Sequence, residues 1–180
     1  CVACALAIAL SWAYSTPPVR LKNNGWYGNA ACALSYEGLA WLTGTAVMLG
    51  GAWPGEKAIY LALLYSLGAH GIMTLNDFKA VQGDRQMGVR SLPVQLGVQS
   101  AAGVACWFMG LPQVVVIILL FAWGCPAQAL AVTVLLGVQL LMMDYFLTRV
   151  MQRALWYSGF GVPFFVAGMS AKCPTEARTT

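Results

Sequence analysis

Asn76-Asp77-Phe78-Lys79-Ala80-Val81-Gln82-Gly83-Asp84-Arg85 follows directly on an apolar run long enough to cross a bilayer, and this junction decides how the chain is read. Charged side chains at a membrane boundary are costly unless they have a task. Two carboxylates beside cations suit a magnesium-bound phosphate, because Mg²⁺ is usually held by one or two carboxylates together with the oxygens of a phosphate substrate. A phosphorylated, lipidic substrate is therefore the leading expectation.

Working outward, 59% of the 180 residues are hydrophobic and 9% are charged, against roughly 25% charged in an average soluble domain. So few charges could not clothe a water-soluble surface. The expectation is an all-α membrane protein, a bundle counted in spans of ~20 apolar residues. Apolar runs and turn residues place these at 29–51, 58–76, 98–124, 127–147 and 155–171, with the tail of a further helix at 1–14 stopped by Pro17-Pro18. Pro112 is expected to bend the third complete span. No internal repeat, low-complexity stretch or soluble domain is visible. The sequence begins inside an apolar run without an initiator Met or a charged leader. It reads as the C-terminal part of a longer protein, with 1–180 as one partial transmembrane domain.

Lys and Arg in short loops favour the cytoplasmic side. Tracing alternate faces, one side collects Arg20, Lys22, Lys79, Arg85, Arg90, Arg149 and Arg153, and the other only Lys57, Lys172 and Arg178. The first side is expected to be cytoplasmic, which puts the 14–22 segment and the 77–90 segment on one face, able to share a site.

The acid spacing can be tested. On one continuous helix Asp77 and Asp84 would share a face but lie ~10.5 Å apart along the axis. With ligand bonds of ~2.1 Å, two such short side chains do not hold a single Mg²⁺. Either Gly83 breaks the helix, or the acids serve different ions or roles, as a diphosphate bridging two metals would allow. The competing account is a solvated loop whose charges pair with one another. Ionisation of an allylic diphosphate is the chemistry that fits, with cations neutralising the departing diphosphate and an aromatic interior excluding water from the carbocation.

These residues converge on a family. Tyr14-Ser15-Thr16-Pro17-Pro18-Val19-Arg20-Leu21-Lys22, Asn76-Asp77-Phe78-Lys79 with Gly83-Asp84-Arg85, and Ser91-Leu92-Pro93-Val94-Gln95-Leu96-Gly97 resemble, in order, the UbiA-type intramembrane prenyltransferases. Within them the chain is similar to the chlorophyll and bacteriochlorophyll synthases, and Met73-Thr74-Leu75 and Gln95-Leu96 tilt it toward the bacteriochlorophyll type.

The resemblance implies a nine-helix fold around a central cavity, and Mg²⁺-dependent transfer of a geranylgeranyl or phytyl group from its diphosphate to the propionate of (bacterio)chlorophyllide. Asp77 and Asp84 match the second Asp-rich motif and would bind diphosphate through Mg²⁺. Arg20, Lys22, Lys79 and Arg85 are candidates for its oxygens. The expected setting is a bacterial inner or photosynthetic membrane, with the site facing the cytoplasm and no nucleic-acid partner. Gln82 stands where many members carry an acid and offers only a neutral carbonyl oxygen. The first Asp-rich motif would lie upstream of residue 1, so this segment alone is expected to be inactive. Prenyl transfer to a quinone precursor or haem is the near alternative. A transporter or pigment-binding scaffold is the distant one, disfavoured because transporters place ionisable sites near the midplane.

Other residues read more plainly. His70 is a hydrogen-bonded bundle histidine or a pigment contact. Cys1 and Cys4 make a chance C-x-x-C, and Cys32, Cys106, Cys125 and Cys173 lack ligand spacing, so neither a disulfide framework nor a zinc site is expected. Asp144 is expected to reach Arg149 or water. The Met142-Met143 pair and the aromatics from Trp156 to Phe165 read as packing or interface anchors. Gly44, Gly50, Gly51, Gly68, Gly71, Gly159 and Gly161 fit close helix approach.

Overall fold

The structure is a computed structural model describing residues 2–170; Cys1, the end of the last expected span, Lys172, Cys173 and Arg178 lie outside these. The described chain is all helical: α1 (Val2–Ser15), a 3₁₀ turn (Leu21–Asn23), α2 (Gly25–Ala33), a π-helical stretch (Leu34–Leu39), α3 (Ala40–Met48), α4 (Glu56–Asp77), α5 (Val81–Met87), α6 (Leu92–Leu96), α7 (Val98–Ala122), α8 (Pro126–Thr148) and α9 (Val150–Met169). By length and composition α4, α7 and α8 can each cross a membrane. The expected span at 29–51 is instead α2, the π stretch and α3 run end to end. Helix α7 passes through Pro112 unbroken.

The bundle turns a soluble protein's surface inside out. Trp107, Ile118, Leu141 and Leu155 face outward, as side chains do where lipid is the solvent. Inside, Gln113 and Gln139 are fully buried and bonded to each other, Gln113 Nε2 donating to Gln139 Oε1 at 2.8 Å, and Gln139 Nε2 donates to the Tyr157 hydroxyl at 3.3 Å. Most polar groups hidden from water find such partners, although Gln113 Oε1 has none.

Helix α4 is the central element, packed along α7 and against α2. Of the glycines expected to allow close approach, Gly68 and Gly71 do so: a Cβ there would collide with the Phe165 ring or lie 2.5 Å from the Ala105 carbonyl oxygen. Gly161 sits against its own helix's Tyr157, and a Cβ at Gly44, Gly50, Gly51 or Gly159 would meet nothing within 4 Å. Asp144 is exposed and makes no pair with Arg149. Arg153 takes the nearby partners instead, donating to the Tyr145 carbonyl at 2.6 Å and lying over its ring. Cys125 is disulfide-bonded, contrary to the reading of its sequence spacing.

Candidate functional site

His70, Thr74 and Asp77 recur at i, i+4 and i+7 on α4 and so form one polar stripe. Helix α2 answers it with Trp26 and Asn29, three residues apart. The Trp26 carbonyl accepts from His70 Nε2 at 3.2 Å, and the His70 ring stacks on Phe108 at 4.4 Å between centroids. The Thr74 hydroxyl donates to the His70 carbonyl at 2.9 Å. Asn29, 8% exposed, spends its two amide hydrogens on Thr74 Oγ1 at 3.3 Å and Asp77 Oδ2 at 3.0 Å. The backbone N–H of Leu92 donates to the Asp77 carboxylate as well. Asp77 is thus held from two elements and turned into the protein rather than toward headgroups. A carboxylate has about four lone-pair sites, so two donors leave room for a cation.

The spacing problem has a different answer from the one posed by Gly83. Helix α4 ends at Asp77, Phe78 to Ala80 turn, and α5 starts at Val81 with Gly83 inside it. Ala80, at φ −109° and ψ 0°, lies between the two helices. Asp77 and Asp84 therefore occupy separate helices, and Asp77 lies near enough to Asp84 to feel its charge. Chain reversal after α5 follows from Gly88 at φ +70°, with Val89 N–H donating to the Asp84 carbonyl at 2.9 Å, an arrangement that satisfies a helix's last carbonyls and favours glycine.

That reversal delivers Arg90 to the α1–α2 loop. Arg90 N–H donates to the Asn23 carbonyl at 3.0 Å and Gly25 N–H to the Arg90 carbonyl at 2.8 Å, forming a parallel backbone bridge between Asn24 and Arg90. A Cβ on Gly25 would lie 2.9 Å from the Ser91 carbonyl carbon and closer still to Leu92 N, so only glycine lets the two segments meet. The expectation that 14–22 and 77–90 share one face is realised through this seam.

Among the cations, Lys79 is exposed, with Nζ 3.5 Å from Asn76 Oδ1; Arg85, Lys22 and Arg20 are exposed too. Among the described residues none is paired with Asp77 or Asp84, so the loop of mutually neutralised charges is not what forms. Tyr14, on α1, donates to Cys32 of α2, and both lie near enough to Asp77 to feel its charge. Sequence reasoning passed over Asn29, and it gave Tyr14, Cys32 and Arg90 no individual role in the site. The stripe His70-Thr74-Asp77 was the available signal that a polar partner faces α4.

No group of three or more His, Cys, Asp or Glu side chains that could hold a metal occurs among the described residues. Asp77 and Asp84 by themselves are the carboxylate complement that Mg²⁺ accepts when phosphate oxygens and water fill its remaining positions. The pair therefore fits a Mg²⁺ that is held together with phosphate oxygens.

The UbiA prenyltransferase family matches residues 1–168. The chain is 52% identical over 162 residues to the bacteriochlorophyll synthase 33 kDa chain of Cereibacter sphaeroides, covering 90% of this chain and 53% of that protein. It is 46% identical over 167 residues to the 34 kDa chain of the Chloroflexus aurantiacus bacteriochlorophyll synthase, covering 93% and 53%. To the chloroplastic chlorophyll synthase of Oryza sativa it is 40% identical over 161 residues, covering 89% and 42%. The chain spans about half the length of the curated relatives it matches. No solved structure matches it.

Proposed function

Because the chain belongs to the UbiA prenyltransferase family, we propose that it carries the second diphosphate-binding half of a bacteriochlorophyll synthase, which esterifies the propionate of bacteriochlorophyllide with a geranylgeranyl or phytyl group. The observation that carries this reading is Asp77, held at the C-terminal end of α4 by Asn29 and Leu92, within reach of the charge of Asp84 and left unpaired by the surrounding cations. The names of its relatives favour this acceptor over a quinone precursor or a haem.

In the reaction the propionate oxygen bonds to C1 of the prenyl chain as the C1–O bond to diphosphate breaks, and the diphosphate leaves with the electron pair. An ionised propionate is itself the nucleophile, so no protein base is required. Asp77 and Asp84 would hold Mg²⁺, which supplies charge neutralisation on the diphosphate. Lys79 and Arg85 stand beside the acids, and Arg20 and Lys22 come from the adjoining loop. Donors pre-set where charge develops act with little reorganisation, and that term is commonly the largest in catalysis. Asn29 orients Asp77 by occupying one carboxylate oxygen. The site is read as facing the cytoplasm of a bacterial photosynthetic membrane, from the clustering of Lys and Arg on its side.

The test is prenyl transfer by the natural protein in membranes, from geranylgeranyl or phytyl diphosphate to bacteriochlorophyllide or chlorophyllide, with and without Mg²⁺. Asp77→Asn and Asp84→Asn should abolish turnover while Asp144→Asn, on the exposed face of α8, leaves it intact. Turnover in both motif variants equal to the parent's overturns the assignment.

A further inference from the structure

The seam between the α1–α2 and α5–α6 loops encloses a pocket of about 370 Å³ whose walls include Arg20, Asn23, Asn24, Tyr27 and Arg90, and to which neither Asp77 nor Asp84 contributes. We propose that this pocket binds a phosphate group without a metal, with Arg90 as the second cation beside Arg20. Arg90 lies outside the quoted segments that carry the family resemblance, and so far only its backbone has entered the site, as half of the seam with Asn23 and Gly25.

Charge comes first. No acidic residue lines the pocket, and among the described residues neither guanidinium has a hydrogen-bond or ion-pair partner. Two unneutralised arginines in a concave wall favour a group with several anionic oxygens, which guanidinium recognises through paired N–H donors. The Asn23 amide and the Tyr27 hydroxyl add neutral donors at the same wall.

The wall is also built rigidly. Arg90 is anchored through both its N–H and its carbonyl to the opposite loop, and its carbonyl accepts from the Gln95 side chain as well. Arg20 sits at φ 43° and ψ 56°, a left-handed conformation that costs a non-glycine residue about 1 to 2 kcal/mol. Hydrogen bonds on both sides hold it there, Arg20 N–H to the Thr16 carbonyl and Asn23 N–H to the Arg20 carbonyl, each at 3.0 Å. Such strain persists where surrounding structure fixes a functional geometry. Exposed Tyr27 lines the pocket, as aromatic side chains do at the headgroup level of a bilayer.

The same chemistry is offered by the diphosphate end of the prenyl donor and by an acidic phospholipid headgroup. If the donor fills the pocket, the inference rests on the prenyl-transfer reading; if a lipid fills it, the pocket stands without that reading. The test is thermal unfolding of the natural protein and its Arg90→Gln and Arg90→Lys variants in EDTA. One arm adds inorganic diphosphate to detergent-solubilised protein, and the other compares nanodiscs of phosphatidylglycerol with nanodiscs of phosphatidylcholine.

A phosphate-binding pocket raises the parent's unfolding temperature by about 3 °C or more at saturation. Arg90→Gln should weaken the response about 10-fold or more in ligand concentration, and Arg90→Lys should restore part of it. A response confined to diphosphate identifies the donor's phosphate, and one confined to phosphatidylglycerol identifies a headgroup. Responses in both arms that Arg90→Gln leaves unchanged, or no response in the parent, overturn the proposal. An inactive Asp77→Asn beside an Arg90→Gln whose thermal responses to diphosphate and phosphatidylglycerol equal the parent's would remove this pocket and leave the proposed activity standing.

Discussion

Two polar networks run through this bundle, and they end differently. Gln113, Gln139 and Tyr157 link α7, α8 and α9 deep in the apolar interior, each group neutral and with no charge to deliver anywhere. His70, Thr74, Asn29 and Asp77 link α4 to α2 by the same kinds of bond, but that chain terminates in a carboxylate where α4 stops. The first network fixes how helices pair. The second converts the same currency of buried hydrogen bonds into the orientation of an ion-binding group. Burial of polar side chains is common to both, so burial alone does not mark a site. What distinguishes the second is a formal charge at its end and, beside it, loops whose cations remain unneutralised.

This contrast can be broken at several points. The largest effect is expected from Asp77→Asn, which keeps the shape and removes the charge; loss of an electrostatic contact to a developing anion costs ~10²-fold to 10³-fold in turnover, measured as prenyl transfer per folded protein. Next is Gly25→Val. Its side chain would push Ser91 and Leu92 away from α2, withdrawing the Leu92 N–H from Asp77. Turnover should fall about 10-fold or more, with a lowered unfolding temperature, because overpacking of this kind typically costs about 1 to 3 kcal/mol. Asn29→Ala should cost about 10-fold, in line with ~1.5 kcal/mol for a hydrogen bond to a charged group, and should raise the Mg²⁺ concentration needed for half-maximal rate.

The smallest change belongs to the neutral network of Gln113, Gln139 and Tyr157. Gln139→Leu should lower stability in detergent by about 0.6 kcal/mol, the average for an interhelical hydrogen bond in a membrane protein, and leave turnover per folded molecule unchanged. A large loss of turnover in Gln139→Leu with stability intact would erase the distinction between the two networks.

Much of the architecture was legible from local chemistry. Apolar runs of membrane length have few alternatives to helices, because lipid offers no partner to an unpaired backbone group, and α4, α7 and α8 appear where those runs lie. The acids and cations were legible as well, since charge next to such a run has few reasons to exist. Their arrangement was not. Whether Asp77 and Asp84 ride one helix or two depends on three residues, Phe78 to Ala80, that carry no strong breaking signal, whereas Gly83, the residue that looked like a breaker, is helical. Asn29 and Arg90 were ordinary loop-adjacent polar residues until the fold set them opposite Asp77 and Arg20.

The sequence by itself determined the solvent, the helices and the chemical character of one face, because these follow from composition and from neighbours along the chain. Only the tertiary structure decided which oxygen of Asp77 is occupied, which loop Arg90 joins and which arginines share a pocket. Those depend on contacts between residues more than forty positions apart in some cases, 29 with 77 among them, and no local propensity encodes a meeting of that kind.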